Sequence, residues 1–346
     1  MQMKILSRGP LGSLFSLLAM VSLSLSVSTI AHASESSAPA SETKVTLDEI
    51  VGEGERTETD KADELITNRM LRASAGSLST WSVSTTWGYL GSSVKNPFDP
   101  VRPNIRGAAG TADMHRATGD IALRRRLSAV DSLSLGAGLG MFAPFHGSVD
   151  FDSYDMPEDT LNRLRDNHAE NAQKLSVNDP YLSYTRLARL GNVQSVSSAT
   201  LYAFTNSYTR GTLGGVASLS LGQTFMTDTP VTGLSFGVSF SAGSSLYSKD
   251  DTDLLGSQTR YSLGVFPVAE YVINDTFNLR TLIGQIYQQT RAEQDPWRFK
   301  NQKMYQSVGL GISVTRDIYL YPNVQFIPRE ISADQTNVGI SATINL

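Results

Sequence analysis

The last ten residues place Val338, Ile340, Ala342, Ile344 and Leu346 on one face of an extended chain and Asn337, Gly339, Ser341, Thr343 and Asn345 on the other. Successive side chains of a strand point to opposite faces, so a period of two marks a strand with one apolar and one small polar face. A single such strand suits any half-buried sheet; the constraint comes from its recurrence. Trp81, Val83, Thr85, Trp87 and Tyr89 alternate with Ser82, Ser84, Thr86 and Gly88. Leu133, Leu135, Ala137, Leu139 and Met141 alternate with Ser134, Gly136, Gly138 and Gly140, and Leu234, Phe236, Val238 and Phe240 with Ser235, Gly237, Ser239 and Ser241. Repetition of this kind fits strands that turn an apolar face to lipid and a polar face to a lumen.

From Leu78 onward the pattern yields twelve strands in up-and-down order, with ten or fourteen as alternatives. Their connections sort by length. Those at 129–131, 191–192, 227–230, 274–275 and 316–317 are tight, while those at 91–116, 144–178, 244–257, 291–302 and 328–335 are mostly long, with 208–212 the short exception. A soluble sandwich has no reason to sort its connections this way, whereas a membrane barrel has short turns on one rim and long loops on the other. Lipid also demands closure, because an open edge would leave unpaired backbone groups in hydrocarbon. The expected fold is therefore all-β: a transmembrane antiparallel barrel over 77–346. Register within 181–207 stays ambiguous, since both faces there mix apolar and polar residues.

Residues 1–33 read as a cleaved signal peptide, with Lys4 and Arg8 before an apolar, serine-punctuated centre and Ala31-His32-Ala33 as the cleavage site. Cleavage there removes two of the 29 basic side chains and none of the 33 acidic ones, leaving a net charge of −6. The strong basicity of nucleic-acid binders is missing. The absence of cysteine excludes disulfides, thiolate metal sites and a lipid-modified N-terminal Cys. Beyond the leader no stretch approaches the ~20 apolar residues of a spanning helix, so a membrane role falls to strands.

The alternating strands and the apolar C-terminal one resemble outer-membrane β-barrel proteins of Gram-negative bacteria, with Leu346 where that family usually ends in Phe. The resemblance implies an integral outer-membrane protein with periplasmic termini, lipid and lipopolysaccharide around it, and the barrel-assembly machinery as a partner. Residues 34–76 form a separate N-terminal segment. Within it Thr46-Leu47-Asp48-Glu49-Ile50-Val51, followed by the charged Gly52–Arg56, resembles the TonB box of TonB-dependent receptors. That resemblance implies pairing, as an added strand, with a TonB-like periplasmic protein. The chain has no room for those receptors' plug domain and 22-stranded barrel. Asp60 to Ala73 reads as a helix: Asp60 as cap, Leu65, Ile66, Met70 and Leu71 as an apolar stripe, Arg69 and Arg72 at the C-terminal end, and Gly76 as the stop. Sequence leaves open whether it plugs the barrel or rests beneath it.

The expected inward face is dominated by Ser, Gly and Thr, with Arg124, Arg126, Arg260, Glu270 and Arg280 as its charged candidates. Lumen arginines favour anionic solutes; Arg–Glu pairs that merely brace the wall are the competing reading. His146-Gly147-Ser148 resembles the His-x-Ser pair of outer-membrane phospholipase A, but Val149-Asp150 stands where that family has Asn-Gly. His115 and His168 read as isolated, the acidic loops lack calcium-loop spacing, and no cofactor, metal or nucleic-acid site is expected. The leading expectation is a non-enzymatic channel or transporter for a small solute, plugged or regulated by its N-terminal segment. A closed barrel with a structural or surface-contact role is the alternative, and a phospholipase-like hydrolase ranks last.

Overall fold

The computed structural model of the chain describes residues 64–105, 112–250, 253–295 and 297–346. The leader and the Thr46–Val51 segment lie outside the described residues. The barrel opens with β1 (Trp81–Ser93), β2 (Arg116–Arg126), β3 (Asp131–Phe142) and β4 (Leu175–Leu190). It continues through β5 (Val193–Ala203), β6 (Gly215–Asp228), β7 (Leu234–Tyr247) and β8 (Thr259–Val272). The final four are β9 (Phe277–Thr290), β10 (Tyr305–Ser313), β11 (Ile318–Phe326) and β12 (Asn337–Asn345).

Each strand pairs antiparallel with its chain neighbours, and β12 returns to β1, so the sheet is closed. Ser84 pairs with Asn345 and Leu90 with Gly339 in that seam. The seam runs to the last residue: Val83 N–H donates to the Leu346 carbonyl and Leu346 N–H to the Val83 carbonyl, both at 2.8 Å. The C-terminal alternation is therefore the closing strand of the wall. A two-residue strand at Lys300–Asn301 adds to the edge of β9.

All five tight connections lie at one end of the barrel, here the turn end, and the long ones at the other, the loop end. The register in β4 and β5 is resolved by exposure. Leu182 and Leu201 face outward while Tyr181 and Leu187 are buried inside. Around the wall the outward residues Ile121, Leu123, Leu135, Phe236, Phe240 and Leu279 are exposed, Leu135 at 63%. An apolar belt of this extent is not stable against water and marks a lipid-facing surface. The Arg125 guanidinium lies 5.4 Å from the Trp81 ring centroid near the turn end, an arrangement suited to the membrane interface.

Two expectations need correction. The segment 144–178, read as a plain polar loop, contains a helix over Glu158–Asn171. Its face of only Leu161 and Leu164 was too narrow to recognise, yet both are buried with Val101, Met114, Ala143 and Phe151 in a small core shared by the first two long loops. The expected helix from Asp60 to Ala73, of which 60–63 lie outside the described residues, is also interrupted. The chain leaves helical geometry at 66–68, and a second helix, α1, covers Arg69–Ala75 with Asn68 as its cap, the Asn68 side chain accepting from Leu71 N–H at 3.0 Å. A seven-residue helix is too short to persist on propensity alone, so its ends are set by what it packs against.

Candidate functional site

At the turn end, residues 64–76 lie among inward-facing wall residues. Ile66, Leu71 and Ala75 are buried against Leu187 of β4, Met226 of β6 and Val268 of β8, and Ala73 against Tyr319 and Tyr321 of β11. Hydrogen bonds fix the segment around the wall. Gln194 of β5 accepts from Thr67 and Asn68 N–H, each at 2.8 Å, and Arg189 of β4 donates to the Glu64 carbonyl at 2.8 Å. Asn345 of β12 donates to the Ala73 carbonyl at 2.8 Å, and Arg316 of the last turn donates to the Gly76 carbonyl at 3.1 Å. Arg69 reaches another turn of the same end, donating to the Asn274 carbonyl at 2.6 Å. Gly76 is required twice over: its φ is +90°, and a Cβ there would land on the Arg124 guanidinium.

The charged residues expected in the lumen separate by height. Glu270 and Arg280 form a buried ion pair at 3.2 Å, the second Glu270 oxygen accepts from Asn68 Nδ2 at 2.8 Å, and Arg280 lies 5.3 Å from the Tyr321 ring centroid. The pair thus braces the wall and holds the cap of α1. Arg124 is buried and donates to Ser132 Oγ at 2.6 Å, and Arg126 donates to the Leu78 carbonyl at 2.8 Å. Arg260 sits apart, exposed near the loop end beside a register shift, with its guanidinium 5.8 Å from the Tyr261 ring centroid.

Above residues 64–76 the lumen opens into a cavity of about 640 Å³. Its wall carries Thr118, Ser183, Thr200 and Ser341, the rings of Tyr181 and Tyr202, and Asp120. Tyr181 donates to Asp120 Oδ2 at 2.6 Å, Thr86 donates to Oδ1, and the two tyrosine rings are 5.4 Å apart. Asp120 is absent from the charged residues expected in the lumen, although its spacing of four from Arg124, two periods of the strand, places it on the same inward face. Gly136 makes the arrangement possible, because a Cβ there would meet the Tyr181 ring at 2.7 Å.

At the loop end His115, His146 and His168, read as unrelated, converge. His115 Nε2 is 3.0 Å from His146 Nδ1, His115 Nδ1 is 3.1 Å from the Tyr89 hydroxyl, and His168 Nε2 is 3.1 Å from the His146 carbonyl. The cluster joins the first two long loops. Burial, with a smaller push from His146, lowers the His115 pKa to about 4. In the same cap, burial and the bond to Asp99 at 2.7 Å raise the Tyr154 pKa. No group of three metal-ligating side chains with suitable geometry occurs among the described residues. His146 is engaged with His115, and no His146–Ser148 hydrogen bond occurs among the described residues.

A closed twelve-stranded antiparallel barrel, apolar outside and hydroxyl-lined within, is a transmembrane β-barrel of the outer-membrane type. The NanC porin is similar at 12% identity over 76% of this chain and 100% of that one, with a TM-score of 0.42. An outer membrane channel from Pseudomonas putida F1 is similar at 11% identity over 79% and 98%, with a TM-score of 0.45. Salmonella typhi OmpF in complex with daunomycin is similar at 9% identity over 77% and 97%, with a TM-score of 0.34. No protein-family model and no curated protein sequence matches the chain.

Proposed function

We propose that the protein is an outer-membrane channel for a small solute, shut at its turn end by residues 64–76, with that end and both termini facing the periplasm. The observation that carries this reading is the ring of contacts: one short segment is bonded to wall residues of β4, β5, β8 and β12 and to turns on two sides. A peptide held that way blocks the passage beneath an otherwise open, hydroxyl-lined cavity.

The Thr46–Val51 stretch precedes the blocking segment in the chain. A TonB-like periplasmic protein that captured it as an added strand would draw force directly onto residues 64–76. The loop end then meets lipopolysaccharide, and β12 is the strand presented to the barrel-assembly machinery. The reading contains no catalytic step; a lipase activity lost in Ser148→Ala would count against it.

Planar-bilayer conductance of protein 34–346 compared with a form starting at Ser77 tests the proposal. The longer form is expected to conduct little and the shorter form steadily. Equal conductance would refute a blocking role, and silence from both would favour a permanently closed barrel with a structural role.

A further inference from the structure

The mid-lumen cavity has a chemistry of its own, and it differs from the arginine-lined lumen that the sequence suggested. Arg124, Arg126 and Arg280 are committed to wall and segment groups at the turn end. Asp120 is the one charged side chain lining the cavity among the described residues. From the geometry we infer that the cavity is a binding site for an uncharged, polyhydroxylated solute of about di- or trisaccharide size. This deepens, and rests on, the channel reading.

Four features point to that class. The volume of about 640 Å³ falls inside the roughly 300–1,000 Å³ range of small-molecule sites. The wall is built from hydroxyl groups such as Thr118, Ser183, Thr200 and Ser341, each able both to donate and to accept. Such a wall replaces the water around a polyol one bond for one, and offers no cation to an anion. Asp120 is held in place by Tyr181 and Thr86, and each carboxylate oxygen retains a lone pair for a solute hydroxyl. Charge-assisted bonds of this kind are roughly twice as strong as neutral ones, and the same carboxylate repels anionic solutes. Beside it the Tyr181 and Tyr202 rings, tilted at 51°, give the apolar C–H face of a sugar ring a surface to rest on. The Tyr202 hydroxyl makes no hydrogen bond among the described residues and stands available to the same solute.

The test is calorimetric titration of the full mature chain, folded in detergent micelles, with three probes of equal length: maltotriose, a galacturonic acid trimer and a glucosamine trimer. Maltotriose is expected to bind at one saturable site and the uronate trimer not to bind. Asp120→Asn and Tyr202→Ala are each expected to weaken maltotriose at least tenfold, a loss of about 1.4 kcal/mol, while heat-dependent gel mobility shows the barrel intact. Tighter binding of either charged trimer, or a maltotriose affinity that neither substitution changes, would overturn the assignment. Absence of any binding would overturn it too, yet leave the channel reading standing if the form starting at Ser77 conducts.

Discussion

Leu71 offers a quantitative handle on the segment that crosses the lumen. It is 2% exposed and packs with Leu187, Met226 and Val268, which come from three different strands. Truncating a leucine in such a setting costs about 3 kcal/mol through lost transfer energy and the cavity left behind. The wall's own ladder does not depend on Leu71, so that cost falls on the docking of residues 64–76. A loss of 3 kcal/mol multiplies the undocked fraction roughly 100-fold. Trypsin cleavage after Arg72 reads this directly, because Arg72 lies within α1 and the docked helix does not fit a protease cleft. When redocking outpaces cleavage, the cleavage rate follows the undocked population. Leu71→Ala in the mature chain should therefore raise the rate of cleavage after Arg72 about 100-fold. The fragment carrying the barrel should keep its heat-dependent gel mobility. A rate within a few-fold of the parent would show that Leu71 does not hold the segment, and loss of the barrel together with the segment would show that the two are not separable.

Three further outcomes are expected. Glu270→Leu leaves Arg280 buried without its partner and should cost about 3–5 kcal/mol in urea unfolding, most of it recovered by adding Arg280→Met; equal loss in the single and double variants would assign the cost elsewhere. His115, with its folded pKa near 4, contributes stability that is complete above the ordinary histidine value of about 6.5 and is lost as pH falls toward about 4. Proteolysis at Arg163 in the loop cap should quicken across that window and His115→Gln should flatten the response, although Asp99 opposes the effect and Arg102, His146 and His168 add to it; a flat profile in the parent would remove His115 from the account. Leu135→Arg on the outer face should lower stability in lipid vesicles by about 2–4 kcal/mol if the residue sits near the midplane, and a loss below about 0.5 kcal/mol would place it away from hydrocarbon.

The wall was legible in the sequence because its physics is local. A period of two survives in any window of eight residues, and the sorting of short and long connections follows from counting. What escaped was set by contacts far apart in the chain. The helix limits shifted because Asn68 serves α1 as cap and Glu270, more than 200 residues away, as donor. The three histidines carry no spacing signal, since 31 residues separate His115 from His146 and only the packed loops bring them together. Asp120 is the instructive case. Its inward orientation follows from the same alternation that places Arg124, but alternation carries no sign of the Tyr181 and Thr86 hydroxyls, from strands far apart in the chain, that hold its carboxylate in place.

The inward chemistry of the wall changes with what it faces. Where residues 64–76 lie, the wall turns Leu187, Met226 and Val268 inward and supplies Gln194, Glu270 and Asn345 to bond peptide groups. One level higher no segment lies against the wall among the described residues, and serine, threonine and tyrosine hydroxyls take over. A wall suited to water along its whole length would not bury three aliphatic side chains on the inward face of separate strands, because each would forfeit about 1.5–3 kcal/mol if left hydrated. The turn end is therefore shaped for a peptide, and small side chains higher up leave room that twelve strands enclose but do not fill. If residues 64–76 close that level as proposed, Asp120, the one charged side chain lining the cavity among the described residues, stands where a solute entering from the loop end would come to rest.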